Sequence, residues 1–507
     1  MNKRICHLLL TICINSLFVL TASSQDLYHE PHRPQIHFSP KEKWINDPNG
    51  MVYLNGVYHL FFQHYPDSSK WGPMHWGHAI SKDLIHWQQL PIALYPDSLG
   101  YIFSGSAVAD KSNTSGFGNR GQIPLVAIFT SHDPNKKAEK SIERENQSIA
   151  YSLDNGNTWV KYAANPVLKN PGITDFRDPK VMWYEPGKKW IMTLATKDRV
   201  TFYSSPNLKE WKKESDFGND AGAHGGVWEC PDLFPLEYNG KKIWVLIANI
   251  NPGGPNKGSA TQYFLGDFNG HQFAASSTNT KWIDYGPDDY AGITWSNTGD
   301  RKIFIGWMSN WMYANEVPTE KWRNALTIPR ELKIKAIGKE LFVVSEPVKE
   351  LSAIATKPIV IEKLSIAKNM DLSKKIKDIQ IPCRITVSME KASDFSFTLS
   401  NDMQEEIKIG YDKSRNHYYI DRTKSGKTDF NKEFAAVHTA PRFTSNAKMD
   451  ITLIIDLSSV ELFADNGLTV MTSVFFPNKP YQQITVQSPG NLLLNRLEYA
   501  GLKAIWP

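Results

Sequence analysis

Long apolar runs are nearly missing from this chain of 507 residues. Only residues 8–20 come near the length of a membrane span, and Asn15 and Ser16 interrupt them. That stretch follows Lys3 and Arg4 and precedes the small residues Ala22, Ser23 and Ser24. Residues 1–24 are therefore expected to be a cleavable export signal, with no membrane span in the mature chain; uncleaved, the same segment would be an anchor. Cysteine is scarce as well. Of four, Cys6 and Cys13 would leave with the signal, and Cys230 and Cys383 lie too far apart in the chain to suggest a pair, so no disulfide is expected. Runs of Lys or Arg are absent, and two of the five net positive charges fall in the expected signal, which leaves no electrostatic footprint for nucleic acid. His64, His75 and His78 match no zinc spacing, and the Gly253–Ser259 loop lacks the Gly-Lys-Ser/Thr ending of a phosphate loop, so neither metal nor cofactor is expected.

Aromatic residues, by contrast, are plentiful at 12%, with 16 Trp. Most must serve the core, but flat apolar faces with a polar handle also suit sugar rings. The length exceeds what one hydrophobic core supports, so at least two domains are expected. A strand-like phrase recurs at residues 58–63, 125–130, 190–195, 243–248 and 302–307. In four units a shorter strand precedes it, closed by a turn at Asn55-Gly56, Pro186-Gly187, Asn239-Gly240 or Thr298-Gly299; in the second, residues 104–109 supply the strand before a longer loop. A polar phrase with an anchoring Trp follows at 81–87, 152–159 and 205–211, more loosely at 266–273. Five copies in shared order, with no convincing amphipathic helix between them, predict an all-β chain with a five-bladed β-propeller over residues 25–350. After Leu351 Trp almost vanishes and short alternating strands follow, which predicts a β-sandwich over 351–507, with 332–356 as the connection.

Carboxylates fall at matching places in this repeat. Unit one opens with Trp44-Ile45-Asn46-Asp47-Pro48, unit three with Phe176-Arg177-Asp178-Pro179, and unit four with Trp228-Glu229-Cys230-Pro231. Asp is disfavoured in strands, and a lone Asp-Pro often does no more than cap a turn. Three acids at equivalent first-strand positions instead converge on one axial pocket, the constellation that glycoside hydrolysis needs: a nucleophile, an acid, and negative charge beside an oxocarbenium-like transition state. Arg177 is expected to keep neighbouring Asp178 ionised, and the apolar neighbours of Glu229 to raise its pKa.

These three motifs, in this order, resemble those of glycoside hydrolase family 32, the family of invertases, inulinases and levanases, and the resemblance runs from about Gln35 to the end. It implies a retaining β-fructosidase, secreted or periplasmic, that cuts terminal fructose from levan, inulin or sucrose, built as a five-bladed propeller followed by a β-sandwich. It also implies roles: Asp47 as nucleophile, Glu229 as acid/base, and Asp178 as stabiliser of the transition state. Asn46, Gln63, Trp71, Ser104 and Arg177 would bind the terminal fructose, with Phe103 and Trp295 as apolar walls. Loops at 251–255, 263–270 and 290–296 resemble the levanase and exo-inulinase branch more than sucrose-specific invertases. A fructosyltransferase or an endo-acting fructanase could use the same residues. A propeller lectin would not need the acids; a sialidase, suggested by the 152–159 box, would need an arginine cluster that is lacking.

Overall fold

The computed structural model describes residues 27–119, 121–136 and 143–506; the expected export signal lies outside them. Up to Pro347 the strands form five sheets that follow one another in chain order, each of four or five strands. Their first strands are Lys43–Leu54, Tyr101–Ala109, Phe176–Tyr184, Val227–Tyr238 and Tyr290–Thr294. Each lies beside the next, and the fifth returns to the first through a parallel bridge between Val52 and Ser296. Trp322–Arg323 adds a short parallel strand beside the first strand of the first sheet, against Lys43 and Trp44.

The recurring apolar phrase forms the second strands, Val57–Tyr65, Leu125–His132, Lys189–Thr196, Lys241–Asn251 and Ile303–Met308. They are apolar over long stretches because neighbouring sheets cover both of their faces. The polar phrase is a repeated turn. Ser81, Ser152 and Ser205 each accept a backbone N–H two residues on, while Asp83, Asp154 and Asn207 cap the turn that follows. Trp159 and Trp211 then donate back to the carbonyls of Gly156 and Leu208, both at 3.1 Å. The 152–159 box is thus one of three matching structural turns.

One irregularity recurs where it matters most. In every sheet the first and second strands slip register near the same end, twice in the first sheet, at Ile45/Pro48 and Asn49/Val52, and once in each of the others, at Ile102/Gly105, Thr193/Ala195, Glu229/Asp232 and Tyr290/Ile293. In four of them a residue at the break has positive φ: Gly50 at 56°, Asp178 at 64°, Cys230 at 42° and Ala291 at 52°. Such bulges kink a strand and re-aim its side chains. At Gly50 only glycine fits, since a Cβ would lie 2.5 Å from Trp76.

Residues 332–356 are not the connection that the sequence suggested. Arg330–Ile337 and Glu340–Pro347 form the outer hairpin of the fifth sheet, and the link starts at Val348. The hairpin is Lys-rich and its first strand is half-exposed, which gives it the composition of a linker. From Ile359 two six-stranded antiparallel sheets face each other over a core that includes Ile385, Phe397, Leu399, Ile409, Leu453 and Leu462. Cys230 and Cys383 are both buried and free.

The sandwich is tied to the sheets before it by buried charges. Arg330 donates to Asp284 and Asp289, both at 2.9 Å, to Glu461, and to Thr472 at 2.7 Å. His37 bridges Asp456 and Glu461, each at 2.8 Å. Burial acts against the imidazolium, but these two carboxylates outweigh it and push His37 up to about 9.

Candidate active site

The first four sheets present residues at their register breaks to a common cavity of about 410 Å³. Its lining includes Asn46, Asp47, Gln63, Trp71, Phe103, Ser104, Arg177, Asp178 and Glu229, every site residue named from the sequence except Trp295. Trp295 is buried elsewhere, donating to the His59 carbonyl at 2.9 Å and stacking on Trp87. The break ends at Ile293, and at about 3.3 Å per residue the five steps from Tyr290 carry Trp295 up to ~16 Å along the strand.

Asp47 is held by donors from three sheets. Its Oδ1 accepts from Asn46 Nδ2 at 2.8 Å, and its Oδ2 from Ser104 Oγ at 2.6 Å and the Cys230 thiol at 3.5 Å. Trp44 Nε1 donates to Asn46 Oδ1 at 2.7 Å, which turns the amide so that its NH₂ faces Asp47. A carboxylate so supplied with donors is oriented and ready to act as a nucleophile.

Glu229 sits opposite a different set. Its Oε1 accepts from Arg177 Nε at 3.2 Å and Nη2 at 3.1 Å, and its Oε2 from the Tyr290 hydroxyl. Burial raises its pKa, against the opposing pull of Arg177 and Tyr290, which suits a group that must carry a proton before it can give one.

Asp178 departs from expectation. Arg177 does not turn to it but is shared among Glu229, Glu145 at 3.2 Å and Asp175 at 2.6 Å. The contacts of Asp178 Oδ2 are the Cys230 N–H at 3.0 Å and, more weakly, the Cys230 thiol at 3.7 Å. Burial, opposed by Arg177 but reinforced by the charges of Glu229 and Asp47, pushes Asp178 up to about 8. Asp178 and Glu229, both driven up by burial, hold a proton between them more readily than both ionise.

Around them, buried Gln63 lines the same pocket, and its Nε2 has no hydrogen-bond partner among the described residues. Trp71 forms an exposed rim, edge-on to Phe103 at 6.3 Å. Phe103 is backed by His132, stacked at 4.2 Å, and His132 meets Glu145. The sequence reading missed His132, Glu145, Asp175, Asn251, Trp311 and Tyr290. Tyr290 alone carried a signal: it precedes the break in the fifth sheet as Glu229 does in the fourth. Among the described residues no group of three or more His, Cys, Asp or Glu is placed to hold a metal ion.

A family model described as Glycosyl hydrolases family 32 N-terminal domain matches residues 37–346, and its companion, Glycosyl hydrolases family 32 C terminal, matches 350–500. A levanase of Bacillus subtilis is 44% identical over 100% of this chain and 76% of its own length. An extracellular exo-inulinase of Aspergillus awamori is 39% identical, over 91% of this chain and 93% of that one. The crystal structure of exo-inulinase from Aspergillus awamori superimposes with a TM-score of 0.85 at 36% identity, covering 94% of this chain and 100% of that one. With both halves matched and the carboxylates gathered in one pocket, this chain belongs to the glycosyl hydrolases of family 32.

Proposed function

We propose that the chain is an exported, retaining β-fructosidase that releases terminal fructose from fructans such as levan and inulin, and from sucrose. The five sheets are read as the blades of a propeller over residues 25–350, with the sandwich over 351–507. The observation that carries the reading is the contrast between two carboxyls in one pocket: Asp47, ringed by donors, and Glu229, buried and able to hold a proton. That the relatives are named levanase, extracellular exo-inulinase and invertase supports the substrate class and the export.

In the first step Asp47 attacks the anomeric carbon while Glu229 passes its proton to the leaving oxygen, leaving a fructosyl ester on Asp47. In the second, Glu229 takes a proton from water, which attacks the same carbon and frees Asp47. Sugar hydroxyls that donate to Asp178 favour its ionised form and so direct the shared proton to Glu229, where the first step needs it. Gln63, Asn46 and Arg177 supply further donors, and Trp71 and Phe103 an apolar wall.

Product analysis on levan, inulin and sucrose tests the reading. Free fructose alone supports exo-hydrolysis. A ladder of shorter oligomers would make the enzyme endo-acting, longer oligomers from sucrose would make it a transferase, and binding without turnover would make it a lectin.

A further inference from the structure

We propose that Tyr290 is a positioning residue for Glu229, fixing the carboxyl's orientation and steadying its ionised form for the hydrolytic second step. The inference rests on Glu229 being the acid/base. Its starting point is the repeat: Arg177 in the third sheet, Glu229 in the fourth and Tyr290 in the fifth each precede a positive-φ residue at the register break; the first two line the pocket, and the third donates to Glu229.

The two donors to Glu229 differ in kind. Arg177 serves Oε1 but divides its guanidinium among three carboxylates, so it is a shared counter-charge. Tyr290 serves Oε2 and has no other hydrogen-bond partner among the described residues. Its ring is buried and lies against Trp307, whose indole is anchored on the Ile45 carbonyl at 3.1 Å. The phenol is therefore held, and burial together with the negative charge of Glu229 keeps its pKa far above the ordinary value, so it stays a donor through the working pH range. The other titratable groups facing Glu229 are Asp47 from the first sheet, Asp178 and Arg177 from the third, and its neighbour Cys230. Among them only Arg177 and Tyr290 favour the carboxylate. A hydrogen bond to the charged form matters most when Glu229 must be charged, which is the attack of water on the fructosyl-enzyme.

Tyr290→Phe keeps the ring and removes the donor. The alkaline limb of kcat/KM, which reports Glu229 in the free enzyme, should move up by about one pH unit. The second step should slow by about tenfold, so kcat and KM fall together and an activated fructosyl donor, with a good leaving group, gives a burst of that group. A singly fluorinated tyrosine at position 290, a stronger donor, should move the limb down. Glu229→Gln is the control for the underlying reading: if it keeps the wild-type alkaline limb, Glu229 is not the acid/base. If Glu229→Gln loses the limb while Tyr290→Phe and the fluorinated residue leave limb, burst and kcat-to-KM ratio as in wild type, the role of Tyr290 is overturned. Should Tyr290→Phe not fold, the fluorinated residue decides alone, an unmoved limb overturning the proposal.

Discussion

Replacing Arg330 with Met should reveal how much the buried charges between the two halves contribute, because the loss is set by pH. Arg330 is fully buried, and it faces Asp284, Asp289 and Glu461. Asp289 is driven well up by burial, opposed by Arg330 and reinforced by the charges of Asp284 and Glu461. Removing the guanidinium strands a carboxylate that Met cannot pair. It either stays charged in a dry interface or takes up a proton, and protonating a carboxyl of reference pKa ~3.9 costs about 1.4 kcal/mol for each pH unit above that value. At pH 7.5 the destabilisation should be about 5 kcal/mol, at the top of the range for breaking a buried ion pair. At pH 5.5 it should shrink to about 2 kcal/mol. The sign follows from linkage: in the variant the folded-state carboxyl has the higher pKa, so the folded state binds more protons than the unfolded and loses stability as pH rises. Urea unfolding of wild type and variant at both pH values, followed by Trp fluorescence, measures the difference. A loss below about 1 kcal/mol, or an equal loss at both pH values, would refute the reasoning.

His37 makes a complementary prediction. Its raised folded pKa means that its contribution is fully present below about pH 6.5 and is lost as pH rises through about 9, a change of about 3 kcal/mol that His37→Asn should not show in the same urea titration. Asp47→Asn should cut kcat by at least about a thousandfold with an unchanged melting profile, and NMR of the first product from wild type should find the anomeric configuration retained. Asp178→Asn should inactivate yet stabilise: with a folded pKa of about 8, Asp178 costs the free enzyme increasing stability as pH rises from about 4 to 8, so the variant should gain on the order of 5 kcal/mol at pH 8 and only about 1 kcal/mol at pH 4.5, as read by thermal melts at each pH.

The sheets were legible in the sequence because their second strands are covered on both faces, which forces unbroken apolar phrases that polar turns then separate. Asp47, Asp178 and Glu229 were legible because acids before or near proline do not belong in a strand interior unless a bulge releases them from the ladder. Tyr290 was hidden by the same logic, since tyrosine is an ordinary strand residue and only its place in the repeat marks it. Trp295 was misplaced because its direction depends on how far it stands from the break, which composition does not encode. The sharing of Arg177 was equally out of reach: adjacency to Asp178 in sequence says nothing about where a long guanidinium points once Glu145 and Asp175 are nearby.

The recurring break in the first strands has a consequence for how such a pocket can change. Residues at the breaks have left the backbone ladder, so, Gly50 apart, the ladder does not depend on which side chain they carry. The breaks behave as sockets in a fixed frame: the frame demands a backbone kink, and where no neighbour crowds it, as Trp76 crowds Gly50, the socket accepts varied chemistry. Substrate preference can then drift, one socket at a time, without the molecule having to relearn how to fold.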